Sequence, residues 1–375
     1  MNWRIVLLAG TLLLPVQAAR AAVSTFYLGT YTDHSDSQGI YLGSLDLATG
    51  RLGQLKLAAT EKNPNFLALS MDHEFLFAAL SDAVESFRVQ PDGTLRALGR
   101  QPSGGGDTCH VSLDKTDREV FVSSYGAGNL TTFPAGADGR IGPRLALIPF
   151  TGSGPNHLRQ DHAHIHSAYV DSENHFLYVC DLGTDSVWIF HLGPKGELTP
   201  ASPPAAKVPP GSGPRHLAFS RDGRFVYVVN EMGVSVTVFT RDAETGALTP
   251  VETVPALPLG ASKIGVTAAE IVLHPNGKWL YVSNRGYDTL SLFDVGADGR
   301  LRLEQTTSSV ERVPRSFGID PTGQWLISAG QKDNRIAVLR IDPKDGHLSD
   351  TGESALVGSP VCVLFVPDSM LTLLH

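Results

Sequence analysis

A four-part unit recurs six times along the chain, and this repeat restricts the fold more than any other feature. The unit that opens at Arg215 reads RHLAFSRDGRFVYVVNEMGVSVTVFTRDAETGALTPVET. It contains an apolar strand, an Asp-Gly turn, a second strand, then a third and a fourth joined by a D-x-x-T-G-x-L turn. The same order opens at Asn65, His110, His166, Ala269 and Arg315, so successive units start between 45 and 56 residues apart. Runs of a few apolar or alternating residues bounded by Gly, Asp, Asn or Pro are strand signals, and a period of this length is that of propeller blades. The N-terminal part supplies three more strands, TFYLGTY, GIYLGSLDL and GRLGQLKL, without the first strand of a unit. The C-terminal run from Val361 to Val366 is a strand on its own. Together they complete a seventh blade. The expected fold is all-β: a seven-bladed β-propeller over residues 22–375, with one blade closed by both chain termini. Closure removes exposed sheet edges. A linear β-solenoid would not explain one missing strand at one end and one extra strand at the other.

Composition narrows the class further. The chain has 375 residues, 30 Lys and Arg against 38 Asp and Glu, and a net charge of −8. That balance argues against a partner such as duplex nucleic acid, which needs a basic face. The first residues are not of the repeat. Arg4 precedes an apolar run from Ile5 to Val16, and Ala18-Ala19-Arg20-Ala21-Ala22 follows. A charged start, a short apolar stretch and a small-residue site make a signal peptide over residues 1–21. The apolar run is too short to span a bilayer, which takes about 20 residues. The expectation is cleavage near Ala21, no membrane association afterwards, and a periplasmic or secreted protein. Cys109, Cys180 and Cys362 each lie in an apolar run and read as buried small hydrophobes. Cys109 and Cys362 fall on inner strands separated by a whole blade, too far for a disulfide. A closed ring needs no partner edge, so a monomer is expected.

Polar residues are unevenly distributed around the ring. Gln160-Asp-His162-Ala-His164-Ile-His166-Ser167 opens one unit, and the three histidines alternate, so an extended segment would point them to one face. Gly211-Ser-Gly-Pro-Arg215-His216 enters the next inner strand, and Asn230-Glu231 follows its second strand. The next blade gives Thr267-Ala-Ala-Glu270 and Ser283-Asn284-Arg285-Gly286. Cys109-His110 and Tyr125-Gly126 hold the equivalent places earlier in the chain. The start of a first strand and the end of a second strand lie on the same rim. His166, Arg215, Glu231, Glu270 and Arg285 should therefore face one mouth of the channel. Arg, Glu and His side chains converging on a concave mouth suit an anionic or carbonyl substrate. No carboxylate stands at a convincing ligand spacing from the histidines, so neither a metal nor any other cofactor is expected. The nucleophile elbow, the phosphate loop and the zincin motif have no match.

The ordered set Y-L-G-T-Y-T, G-I-Y-L, Q…H-x-H-S, G-S-G-P-R-H, V-N-E, T-A-A-E-I, S-N-R-G and G-S-P-V-C-V-L resembles the seven-bladed β-propeller lactonase family. Bacterial 6-phosphogluconolactonases of the propeller type and fungal carboxymuconate cyclases belong to it. The resemblance spans essentially the whole chain after the leader. It implies an active mouth with His166, Arg215, Glu231 and Arg285 as catalytic residues, and His164 at the first His of H-x-H-S. His164, His110, Glu270 and His216 are the expected substrate-binding residues. The implied activity is hydrolysis of a sugar lactone without a cofactor, with His166 or Glu231 as general base and Arg215 and Arg285 stabilising the oxyanion. The alternatives are a lactonising enzyme of the carboxymuconate cyclase kind and a non-catalytic exported scaffold or binding module. His162 departs from the family pattern. The leader is a second departure, since a phosphorylated lactone is a cytoplasmic intermediate.

Overall fold

Every repeat folds as a four-stranded antiparallel sheet, and seven such sheets are arranged around a central channel. The computed structural model describes residues 22–367, so the leader lies outside the described residues. Six blades are contiguous in sequence. Their innermost strands are Phe66–Leu69, Thr108–Leu113, Ile165–Val170, Pro214–Phe219, Thr267–Leu273 and Pro314–Ile319, here blades 1 to 6. In blade 7 the C-terminal strand Pro360–Val366 is innermost and pairs with Val23–Thr30, which pairs with Gly39–Asp46, then Lys56–Thr60. Both chain ends thus close the ring, as the repeat predicts. The fourth strand of this blade is shorter than the run GRLGQLKL suggests. Its first part forms only an isolated bridge, Leu45 to Leu52. Among the described residues the only helix is a single 3₁₀ turn, Leu182–Thr184. No helix there is long and apolar enough to cross a membrane.

The second strands of blades 1 to 4 and 6 are buried along their whole length, as in Phe225–Asn230 and Phe176–Asp181. They sit between inner and outer strands and between neighbouring sheets, which explains their unbroken apolar sequence. The core is divided into clusters between blades. One packs Tyr227, Val229 and Val236 of blade 4 against Ile271, Leu280 and Val282 of blade 5.

The turns that mark the repeat also join the blades. The Asp242 carboxylate accepts the amides of Glu244 and Thr245 at 2.9 and 2.8 Å, and Gly246 closes the turn with φ +72°. Its carbonyl accepts the Tyr178 hydroxyl of the preceding blade at 2.9 Å. Tyr27 binds Gly93, and Tyr281 binds Gly346, in the same way, each reaching the next blade.

Candidate active site

The mouth is built by one recurrent device. At the start of the inner strands of blades 2, 3, 4 and 6 the pairing register slips by one residue. The extra residues are Cys109, His166, Arg215 and Arg315. Blade 5 slips at Ala269-Glu270, and blade 7 at Val361. A bulge turns the unpaired residue out of the alternation of its strand. Here it aims side chains into the channel from successive blades. The ends of the second strands add Glu231, after Asn230, and Arg285, after Asn284. Both asparagines are buried and tie down their turns by donating to Ser and Thr hydroxyls.

Cys109, His166, Arg315, Glu231 and Arg285 line a cavity of about 420 Å³ at one mouth of the channel, while Arg215 lies beneath it with His216 and Glu270. Arg159 and Tyr125 line the cavity too. Glu231 is its electrostatic centre. Its carboxylate lies 2.5 Å from an Arg159 nitrogen, 2.9 Å from Arg285 and 3.2 Å from Nε of Arg215. The last is an ion pair without hydrogen-bond alignment. Burial alone would raise the Glu231 pKa, but Arg285, Arg215 and Arg159 together outweigh it and hold the group at about 2. Arg215 is buried beneath it and donates to the Ala269 carbonyl at 2.7 Å. Burial and the neighbouring Arg285 and Arg315 lower its pKa to about 10, so it stays charged at neutral pH.

His166 is the one imidazole that both lines this cavity and is buried. Burial first, then Arg215, His216, Arg315 and Arg285, push its pKa well below 6.5, so it is neutral at pH 7. Its Nδ1 has no hydrogen-bond partner. Cys109 also lines the cavity, but burial pushes its thiol up to about 12, which rules it out as a thiolate nucleophile at neutral pH.

Arg215 lies under the cavity rather than on its wall, which leaves Arg285 and Arg315 as the guanidinium groups that face it beside Arg159, and four further expected residues also fall elsewhere. His164 does not line the cavity. It stacks behind Tyr125, ring centroids 4.3 Å apart, and its Nδ1 lies 3.0 Å from the Tyr125 carbonyl. His110 is enclosed among Phe66, Tyr169 and His216 deeper in the channel, with neither ring nitrogen bonded. His216 and Glu270 pair at 2.8 Å below Arg215 and Arg315, forming the floor of the site rather than its open part. The three alternating histidines do not share one face. The regular strand begins only at Ile165, and the bulge turns His166 inward while His162 stays exposed.

Two residues were not anticipated. Arg315 lies 5.5 Å over the Tyr31 ring and has no ion-pair partner among the described residues. Repeat alignment holds the signal for it, since R-S-F-G-I at Arg315 superposes on R-H-L-A-F at Arg215. Arg159 comes from the loop that precedes the inner strand of blade 3. Gln160 anchors that loop by donating to Leu182 O and Asp185, both at 2.9 Å. No repeat signal marks Arg159.

The family model for "Lactonase, 7-bladed beta-propeller" matches residues 25–365. The 6-phosphogluconolactonase of Bacillus subtilis is 30% identical over 346 residues, covering 91% of this chain and 97% of its own. That of Pectobacterium carotovorum is 33% identical over 339 residues, 89% and 97% of the two chains. The solved structure of a periplasmic gluconolactonase from Pseudomonas aeruginosa superposes with a TM-score of 0.87 at 30% identity. It covers 92% of this chain and 99% of that one.

Proposed function

Because the chain belongs to the seven-bladed β-propeller lactonase family, we propose that the Arg-lined mouth opens the ring of a sugar lactone by hydrolysis. The observation that carries the mechanism is a neutral imidazole, His166, with an unpartnered Nδ1, buried beside a cluster of guanidinium groups. His166 accepts a proton from water as the water oxygen attacks the lactone carbonyl. Arg285 and Arg315 face the same cavity and stabilise the oxyanion of the tetrahedral intermediate. The ring C–O bond then breaks, and the proton passes from His166 to the departing ring oxygen. The product is the hydroxy acid.

Glu231 is poorly suited to be the base. With a pKa near 2 and three guanidinium partners, its affinity for a proton is low. Its role in this scheme is to hold Arg159, Arg215 and Arg285 together against their mutual repulsion. A low pKa also makes free His166 a weak base, and substrate binding corrects this. An anionic group or developing oxyanion offsets the guanidinium charge and raises the basicity of the imidazole where the reaction needs it.

The phosphoryl group and the compartment are further parts of the proposal. The half-exposed Arg159 at the rim of the cavity suits an anionic substituent. The leader favours a lactone formed outside the cytoplasm, and the mature chain would begin near Ala22. Measuring kcat/KM on gluconolactone and 6-phosphogluconolactone side by side tests the activity. Hydrolysis of either above the buffer rate supports it, and their ratio assigns the substituent. Rates equal to buffer on both lactones and on muconolactone would overturn it in favour of a binding propeller. N-terminal sequencing of the exported protein tests the leader, and an intact Met1 on a cytoplasmic product would refute it.

A further inference from the structure

His162, in the loop before blade 3, has no part in the mechanism above, yet its surroundings are specific. Asp161 bridges two imidazoles. One carboxylate oxygen lies 3.0 Å from His162 Nδ1 and the other 3.2 Å from His164 Nε2. The three candidate ligand atoms all lie within 4.8 Å of one another. The opposite ring nitrogens face backbone carbonyls: His162 Nε2 is 3.1 Å from Gly126 O, and His164 Nδ1 is 3.0 Å from Tyr125 O. A carbonyl only accepts, so each neutral imidazole must carry its proton there. That leaves a bare lone pair on the inner nitrogen, aimed at a carboxylate that also only accepts. In the metal-free protein a second proton on His162 fills this gap, since the Asp161 carboxylate raises its pKa.

A metal ion held by the same three side chains would take the place of that proton. We infer that Asp161, His162 and His164 form a binding site for a divalent transition metal, with two imidazoles and one carboxylate as protein ligands. Backbone carbonyls that fix the outer ring nitrogens are the usual supports of metal-ligating histidines. Ligands about 2.0–2.2 Å from a tetrahedral zinc ion lie roughly 3.3 Å apart; each imidazole nitrogen lies within 3.2 Å of one Asp161 oxygen, and the three ligand atoms lie within 4.8 Å of one another. The imidazoles select Zn²⁺ and its first-row neighbours over Mg²⁺ or Ca²⁺, which prefer oxygen ligands. Asp161 and His162 are exposed, so the remaining coordination positions are open to water.

The site stands at the edge of the mouth and positions it without touching the reacting atoms. His164 stacks on Tyr125, whose hydroxyl accepts from Arg159 at 3.3 Å. Arg159 is two residues before Asp161 and is paired to Glu231. Ligation would fix the loop that carries Arg159 to the Glu231 carboxylate. It also gives His162, the departure from the H-x-H-S pattern, a chemical reason.

The test uses the mature chain, free of any histidine tag and stripped with chelator. Equilibrium dialysis against micromolar Zn²⁺ at pH 7.5 measures stoichiometry, and thermal unfolding measures the linked stabilisation. The expected result is one equivalent bound and a raised Tm. H162Q and D161N alter exposed side chains, so each should leave the metal-free Tm unchanged and weaken zinc binding by about tenfold or more. Binding that fails to saturate near one equivalent would overturn the site. So would variants that bind as well as the parent, because the ion would then sit elsewhere, for instance at the channel histidines. The readout needs no lactone, so its failure and that of the proposed hydrolysis are separable.

Discussion

At the residue scale, the mouth is governed by the ratio of guanidinium to carboxylate. Arg159, Arg215, Arg285 and Arg315 face Glu231, Glu270 and the more exposed Asp107, four positive groups against three negative in a chain of net charge −8. Burial, reinforced by this local excess, keeps His166 neutral, and the sign of its pH dependence follows. A lowered pKa means that the neutral form persists into acid. kcat/KM should therefore stay level from pH 8 down through 6.5 and fall only well below it. In Arg315→Gln one of the cations that depress His166 is lost, so the acid limb should move to higher pH while kcat drops about 10²-fold. A pH–rate profile with its limb unmoved would separate Arg315 from His166. His166→Ala should cost about 10²–10⁴-fold in kcat with little change in Tm. Glu231→Gln should behave differently, losing both rate and stability. It leaves three guanidinium groups without their shared anion, and breaking a buried ion pair costs about 3–5 kcal/mol. A Glu231→Gln protein with parental Tm and low kcat would restore Glu231 as the base. The residue types of the mouth were legible in the sequence because the blade register places them. Their partners were not. Nothing in N-E or S-N-R-G says that one carboxylate serves three arginines, since that pairing joins residues as far apart as 159 and 231.

At the element scale, the same turns that revealed the repeat carry a packing constraint that a sequence pattern does not display. The D-x-x-T-G signal predicts a tight turn. It does not predict that the glycine lies flat on an aromatic ring of the neighbouring blade. A Cβ on Gly246 would fall 2.4 Å from the Phe176 ring, at a φ that already disfavours L side chains. Gly246→Ala should therefore destabilise by about 1–3 kcal/mol, read as a lower urea midpoint at unchanged m-value. Bulges were invisible for a related reason. One extra residue at a strand start leaves the apolar run intact, so the strands could be predicted while the direction of His164 and His110 could not. Glu311 gives a second test at this scale. It lies in the turn before the inner strand of blade 6, buried with neither carboxylate oxygen bonded, and burial raises its pKa from 4.5 to about 8. Between these values the folded state binds the extra proton, so the group makes the protein less stable as pH rises from 4.5 through 8. Glu311→Gln should remove that slope. Its Tm advantage over the parent should grow across this window and level off above pH 8; a difference independent of pH would show that the carboxyl is not buried as described.

At the scale of the whole molecule, the ring is held by one blade assembled from both ends of the chain. The C-terminal strand pairs with the N-terminal one from Thr25–Val366 through Leu28–Val363, and Tyr31 donates to Ser359 O at 3.0 Å beyond it. Its side chains also reach both flanking blades. Cys362 packs in the cluster with Leu67 and Leu76 of blade 1, and Val363 packs with Trp325 and Ile327 of blade 6. Removing the strand exposes the edge of Val23–Thr30 and both of those core faces, so a chain ending at Val357 should fail to give a soluble, cooperatively unfolding protein. That result alone would not distinguish lost core from lost closure. A circular permutant does. Joining Pro367 to Ala22 by a short Gly-Ser linker and opening the chain between Gly260 and Ala261, in the exposed loop between blades 4 and 5, preserves every strand and every core residue. All seven blades become contiguous, and the ring is then closed only by packing of blade 4 on blade 5. The permutant should fold and keep the parent's kcat, because the mouth is unchanged. Its urea midpoint should fall, and its unfolding should be faster, because parting two blades no longer requires breaking a hydrogen-bonded sheet. A permutant as slow to unfold as the parent would mean that blade-to-blade packing alone closes the propeller and that the shared blade adds nothing to its persistence.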